Sequence, residues 1–264
     1  NDYIQIFLAS NLIHYKNTDA VYEEIRAYQH TPAKVVFAPD TNLFYNRFMG
    51  NSHINPDDLL ITDSVHKEIN RMLNKKYNPR QIAILKRAVP YQKSIFDEYI
   101  NRRMKQSRKA YNLALQEYRN IINRAFYVIR TPDLEKDKED NDDLFCKAVS
   151  EYMSENNGIY PVILTADQLF TDLCESHGLA SIFLELPKQV TGEYCKPRQL
   201  RDLVCNLAGV LGVIKVNKTL IFGEYRGKSR IDDYKLKFLS GTTPFELERD
   251  LEITRGLRKL NIEF

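Results

Sequence analysis

The sequence predicts an α/β fold built on a parallel central sheet, and three observations carry that prediction. Short apolar runs at Val35-Val36-Phe37-Ala38, Leu59-Leu60-Ile61-Thr62 and Val162-Ile163-Leu164-Thr165 read as strands buried on both faces. Helical patterns separate them, as right-handed crossovers between parallel strands require. The first and third runs each stop at a carboxylate, Asp40 and Asp167. In open α/β sheets that carboxyl edge is where ligands bind.

The remaining elements follow in chain order. Residues 1–33 hold an alternating apolar piece, Tyr3-Ile4-Gln5-Ile6-Phe7-Leu8, and a helix near 19–29 with Val21, Tyr22, Ile25 and Tyr28 on one stripe. After Asp40, a loop with Gly50, Asn51, Ser52 and Pro56 leads to the second strand, and Asp63-Ser64 supplies a helix start. Glu68 falls in the first two turns of that helix, where the dipole favours an acid by a few tenths to about 1 kcal/mol. Asn78-Pro79 opens the next helix as cap and first-turn proline. Beyond Pro90 a helical stripe runs through Phe96, Ile100, Met104, Tyr111, Leu115, Tyr118, Ile122 and Ile129. Unbroken it would extend over about thirty-five residues, roughly 50 Å; a weak seam near Ser107 is the alternative, dividing it into two antiparallel helices. The acid-rich stretch 133–143 reads mostly as a solvated loop, and its end, Asn141-Asp142-Asp143-Leu144-Phe145, starts an amphipathic helix. A helix carrying Asp172 follows the third strand, and Ala180-Ser181-Ile182-Phe183-Leu184 reads as a further strand. Past residue 190 come a Leu-rich helix after Pro197, a short β region and a final helix opened by Thr243-Pro244-Phe245-Glu246.

Charge is distributed unevenly. Of 264 residues, 28% are charged and the net charge is only +3. Between Arg71 and Arg130, however, fifteen Lys and Arg face three acidic residues, so this segment carries +12 and the rest of the chain −9. Solvated helix faces usually mix both signs. A surface this one-sided is expected to bind a polyanion. Its densest part is Arg102, Arg103, Lys105, Arg108 and Lys109, with no acid between Glu98 and Glu117. Farther on, Lys and Tyr interleave over Tyr234-Lys235-Leu236-Lys237-Phe238, a pattern that suits either an RNA contact or an ordinary solvent face.

Composition excludes several function classes. No run reaches the ~18 to 20 apolar residues that span a bilayer, and no basic region followed by a long apolar one opens the sequence. A soluble, cytoplasmic protein without a membrane partner is the expectation. Cys146, Cys174, Cys195 and Cys205 form no CxxC and read as free buried thiols; the five histidines form no HExxH. Neither GxGxxG nor a P-loop is present.

Four segments carry a family resemblance: Asp40-Thr41-Asn42 after a strand, Ser64-Val65 with Glu68-Ile69, Asn141-Asp142-Asp143-Leu144-Phe145, and Leu164-Thr165-Ala166-Asp167 before Phe170. In order and placement they resemble the acidic motifs of PIN-domain nucleases, a family that includes VapC toxins and eukaryotic RNA-decay nucleases and shares its shape with the flap endonuclease core. The resemblance covers about residues 34–186. It implies a three-layer α/β/α sandwich and assigns metal-site roles to Asp40, Glu68, Asp142 and Asp167, with Asp143 and Asp172 as neighbours and Thr41, Asn42 and Thr165 as polar supports. Within the doublet the resemblance favours Asp142, because the family's aspartate lies three residues before an apolar helix position, here Phe145. Compact family members have no counterpart to the 73 positions between Glu68 and Asp142.

The expected organisation is an N-terminal extension (1–33), a PIN-like nuclease domain (34–190) with a basic helical insertion at about 71–130, and a C-terminal α+β appendage (191–264). Hard oxygen ligands without thiolate or imidazole suit Mg²⁺ or Mn²⁺, one ion or two. The function expected is that of a metal-dependent endoribonuclease, with RNA as partner. Alternatives are a catalytically silent nucleic-acid-binding or assembly protein and a flap-type DNA nuclease. A homo-oligomer or protein partner stays open.

Overall fold

A computed structural model describes residues 2–74, 79–88, 90–99, 108–132, 138–189, 194–239 and 244–260. The chain opens with helices α1 (Asp2–Ala9) and α2 (Thr18–Gln29), then β1 (Lys34–Pro39), the short helices α3 (Thr41–Tyr45) and α4 (Phe48–Asn51), β2 (Leu60–Thr62) and α5 (Asp63–Asn74). Two helices follow, α6 (Pro79–Ala88) and α7 (Lys93–Tyr99). A π-helical turn (Ala110–Ala114) runs into α8 (Leu115–Ile122), β3 (Tyr127–Ile129), α9 (Lys138–Glu155), β4 (Ile159–Thr165), α10 (Gln168–Ser176) and β5 (Ala180–Phe183). Then come α11 (Pro197–Leu211), β6 (Val213–Val216), β7 (Thr219–Phe222), β8 (Lys235–Phe238) and α12 (Pro244–Lys259).

This chain forms two units: residues 1–77 with 105–193, and residues 78–104 with 194–264. In the first, mixed α/β unit, β4 lies between β1 and β5, all parallel, with Pro39 opposite Leu164 and Leu164 opposite Ile182. β2 and β3 form a parallel pair, and a single parallel bridge from Phe37 to Leu59 ties that pair to β1. Strands without polar faces must be covered on both sides, and Val36, Phe37, Ala38, Val162, Ile163 and Leu164 are fully buried. Each such large side chain contributes about 1.5–3 kcal/mol. Pro39 brings no ladder donor, so the Asp40 N–H takes over and donates to the Leu164 carbonyl at 2.9 Å. That register sets Asp40 beside Thr165.

Several elements differ from the sequence expectation. Tyr3–Leu8 is helical, and Leu8, Val21 and Ile25 belong to the same core as β1. Asn17 receives the Glu185 N–H at 2.9 Å and donates to the Phe183 carbonyl at 2.8 Å, fastening the N-terminal segment to the end of β5. These 33 residues are therefore part of the first unit rather than an extension. The basic segment is not one structural piece either, since 78–104 groups with the C-terminal residues and 105–130 with the first unit. Its stripe does not remain helical to Ile129: α8 stops at Ile122, and Tyr127–Ile129 pairs with β2. The β-branched Val128-Ile129 pair suits the pleated surface it occupies. α9 begins at Lys138, earlier than expected, so Asp142 sits in its second turn.

In the second unit, α11 packs on the antiparallel β6–β7–β8 meander. Gly223 passes so near α11 that a Cβ there would lie 2.2 Å from the Ala208 carbonyl oxygen. Glu98 of α7 lies 3.2 Å from Lys237 and 3.7 Å from Lys235. The cations of the Lys/Tyr strand thus face an internal carboxylate. Among the described residues no helix is long and apolar enough to cross a membrane.

Candidate acidic site at the ends of the parallel strands

Asp40 is the first residue after β1, in extended conformation (φ −67°, ψ 156°), and it leads into α3 without capping it. Its Oδ2 accepts instead from Asn42 Nδ2 at 3.0 Å and from the Thr165 hydroxyl at 3.1 Å. The residue as a whole is half-buried, but its carboxyl group is enclosed by the elements around it. That enclosure, with the charges of Glu68 and Asp142 adding to it, raises the Asp40 pKa to about 7; the two hydrogen bonds oppose the rise. Three elements therefore converge on one carboxyl: β1 brings Asp40, α5 brings Glu68 and α9 brings Asp142. Glu68 also acts on the Tyr45 phenol, which burial already pushes upward.

Asp167 enters this neighbourhood through Thr165. The fully buried Thr165 hydroxyl donates to Asp40 and accepts the Asp167 N–H at 3.0 Å. The Asp167 side chain caps α10, with Oδ1 accepting from the Leu169 N–H at 3.2 Å. Thr41 is buried at the first position of α3. Asp143 is engaged by other partners: it accepts from His177 Nε2 at 2.9 Å and from Lys147 at 2.5 Å, and the Lys147 hydrogen bond above all holds its pKa below the usual carboxylate range. Asp172 is exposed on α10. Among the described residues, no three His, Cys, Asp or Glu side chains are grouped as ligands of one ion.

Of the five clustered cations, Arg102, Arg103 and Lys105 lie outside the described residues. Arg108 and Lys109 are half-buried, and both act on Asp2. Lys109 Nζ donates to Asp2 at 2.9 Å and to Gln5 at 3.0 Å, and lies 5.6 Å from the Tyr45 ring centre. The neutralising acid expected to be missing is supplied from 107 residues away. Sequence reasoning also passed over Asn46 and Tyr15. Asn46 donates to the Tyr15 hydroxyl at 2.8 Å, and the pKa of that phenol is raised by burial first and by the Asp40 charge as well. The signal for Asn46 was its place one turn after Asp40-Thr41-Asn42; Tyr15 gave none.

No family model matches the chain, and comparison with curated proteins finds no match. Among solved structures, a domain of a functionally unknown protein from Methanocaldococcus jannaschii DSM 2661 is similar at 15% identity with a TM-score of 0.34, over 62% of this chain and all of that one.

Proposed function

We propose that the chain is a divalent-metal-dependent endoribonuclease of the PIN type, a three-layer α/β/α nuclease unit whose reaction centre is the carboxyl cluster around Asp40. One observation carries the reading: at the carboxyl edge of a parallel sheet the Asp40 carboxyl is enclosed beside two other acids from separate helices, which raises its pKa to about 7. Packing alone gives no reason to gather these charges, whereas a cation between them would offset their repulsion.

The donor chemistry fits a hard ion. Carboxylate, hydroxyl and amide oxygens are what Mg²⁺ and Mn²⁺ prefer, and Mg²⁺ takes only one or two carboxylates directly while keeping its waters. Asp40 and one of the helix-borne acids, Glu68 or Asp142, would hold it directly, with the other acid reached through its waters and Asp167 alongside. Such an ion polarises a phosphoryl oxygen and makes hydroxide available near neutral pH. The chain's own part is to fix the Asp40 carboxyl through Asn42 and Thr165 and to bring the helix-borne acids to it. The cations at 102–109 would bind backbone phosphates.

The test is cleavage of matched structured RNA, single-stranded RNA and flap DNA with Mg²⁺ or Mn²⁺, comparing the native chain with Asp40→Asn. RNA cleavage that needs the ion and is lost in Asp40→Asn is expected. Cleavage confined to flap DNA would move the chain to that nuclease class, and cleavage of none would leave a nucleic-acid-binding module.

A further inference from the structure

The β6–β7–β8 meander is apolar on both faces. Cross-strand partners share a face, and so do residues two apart along a strand. Leu220 and Phe222 are buried on the side that α11 covers. The opposite face is made by Ile214, Ile221 and Leu236 in one row and by Val216, Thr219 and Phe238 in the next. An antiparallel sheet that keeps one face in water normally makes that face polar. Here five of the six residues are apolar, none is buried, and Val216 and Leu236 are 40% and 45% exposed.

In the same unit, α12 supplies a second, independent observation. The helical period sets Leu247, Leu251, Ile253 and Leu257 on one side and Glu248, Glu252, Arg255 and Lys259 on the other. A helix so divided ordinarily buries its apolar side, yet no residue from 245 to 259 is buried, and Leu251 and Ile253 are 44% and 54% exposed. A sixteen-residue helix without packing is marginal in water. Charge matches the two surfaces as well. Residues 213–238 together with Glu98, which the strand's lysines face, hold seven Lys and Arg against four acids, 7 − 4 = +3. The first nine residues of α12 hold Arg249 against four acids, 1 − 4 = −3.

We propose that the outer face of the meander receives α12 of a second copy of this chain, while the second copy's meander receives α12 of the first, in a twofold dimer. The chain's own α12 leaves the sheet face open, and one chain holds both halves of the contact. A twofold axis uses each half once per copy, so no apolar face is left over. Helix on sheet is a standard layer packing, and a helix about 10 Å across covers three strands spaced about 4.8 Å apart. The symmetry doubles the area that one helix buries, toward the about 800 Å² per partner of a standard interface. This association is independent of the reaction proposed above.

Sedimentation velocity of the full-length chain from about 1 to 200 µM tests the dimer, with dissociation expected in the micromolar range. Leu251→Gln with Ile253→Gln alters exposed positions of α12 and keeps good helix formers, and Leu236→Thr alters an exposed position of the sheet and keeps a strand former, so both variants fold. Each should raise the dissociation constant about tenfold or more. An equimolar mixture of the two variants holds one intact helix-on-sheet contact per heterodimer and should associate more tightly than either variant alone. A chain that stays monomeric throughout, as docking of α12 on its own sheet or on another protein would leave it, overturns the proposal. A dimer that either variant leaves unchanged overturns it too, because its interface then lies elsewhere.

Discussion

β1 and β4 run side by side in the same direction, and each is followed by an aspartate and then a helix, yet the two aspartates sit in different physical circumstances. Asp167 accepts the Leu169 N–H and caps α10, a helix of nine residues. Such a cap stabilises by about 1 kcal/mol. Asp40 makes no cap bond to the five-residue α3 and is enclosed beside Glu68 and Asp142. The difference lies in what arrives from elsewhere: α5 and α9 aim carboxylates at the end of β1. An aspartate after a parallel strand is a helix cap by default, and it becomes a candidate for chemistry when distant elements crowd it with charge that a cap does not need.

The largest expected effect separates the two directly. Asp40→Asn, nearly equal in volume, should lower metal-dependent cleavage on the order of 10²–10³-fold, the scale for removing one preorganised electrostatic group. Asp167→Asn keeps the capping oxygen and should lower it far less. Initial rates at saturating Mn²⁺ measure both; equal losses would break the contrast.

A stability measurement comes next. Asp40 titrates near 7 in the folded chain, against 3.8 for an unperturbed aspartate, so the folded state holds its proton more tightly. The associated stability is fully present below about pH 4 and is lost as pH rises through about 7. In EDTA, denaturant unfolding of the native chain should therefore show falling stability from pH 5 to 8. Asp40→Asn should flatten that fall and be more stable at pH 8 by on the order of 2–4 kcal/mol. Millimolar Mg²⁺ should restore the native chain at pH 8 and leave Asp40→Asn unmoved. Asp167→Ala should instead lose about 1 kcal/mol through its cap. A native chain whose stability is level from pH 5 to 8 would show that Asp40 carries no such burden.

The placement of the two aspartates was legible in the sequence; the contrast between them was not. Apolar runs ending at Asp40 and Asp167 marked the strand ends, and Asp63-Ser64 marked the start of α5, because these signals are local. What could not be read depends on long-range pairing. Nothing near Lys109 announces Asp2, and nothing near Lys235 and Lys237 announces Glu98. Tyr3–Leu8 alternates like a strand but folds as a helix, since short apolar patterns fit either period until packing decides. Ile129 kept helical spacing with Ile122 although it lies in β3, for the same reason. Both acids of the Asp142-Asp143 doublet fit the sequence pattern; only the fold turns Asp143 to His177 and Lys147.

The smallest expected effect tests the group that joins the two strand ends. The Thr165 hydroxyl donates to Asp40 Oδ2 and accepts the Asp167 N–H, so Thr165→Val removes both bonds at nearly constant volume. The donated bond favours the ionised carboxyl, and its loss should move the Asp40 midpoint upward from about 7. On the Asp167 side an N–H loses its partner, at a cost of about 1–2 kcal/mol. The Leu169 bond is separate, so amide exchange within the first turn of α10 should stay as in the native chain. Carboxyl ¹³C titration of the metal-free protein reads the midpoint. An Asp40 midpoint that does not rise in Thr165→Val would mean that Thr165 serves only the turn into α10.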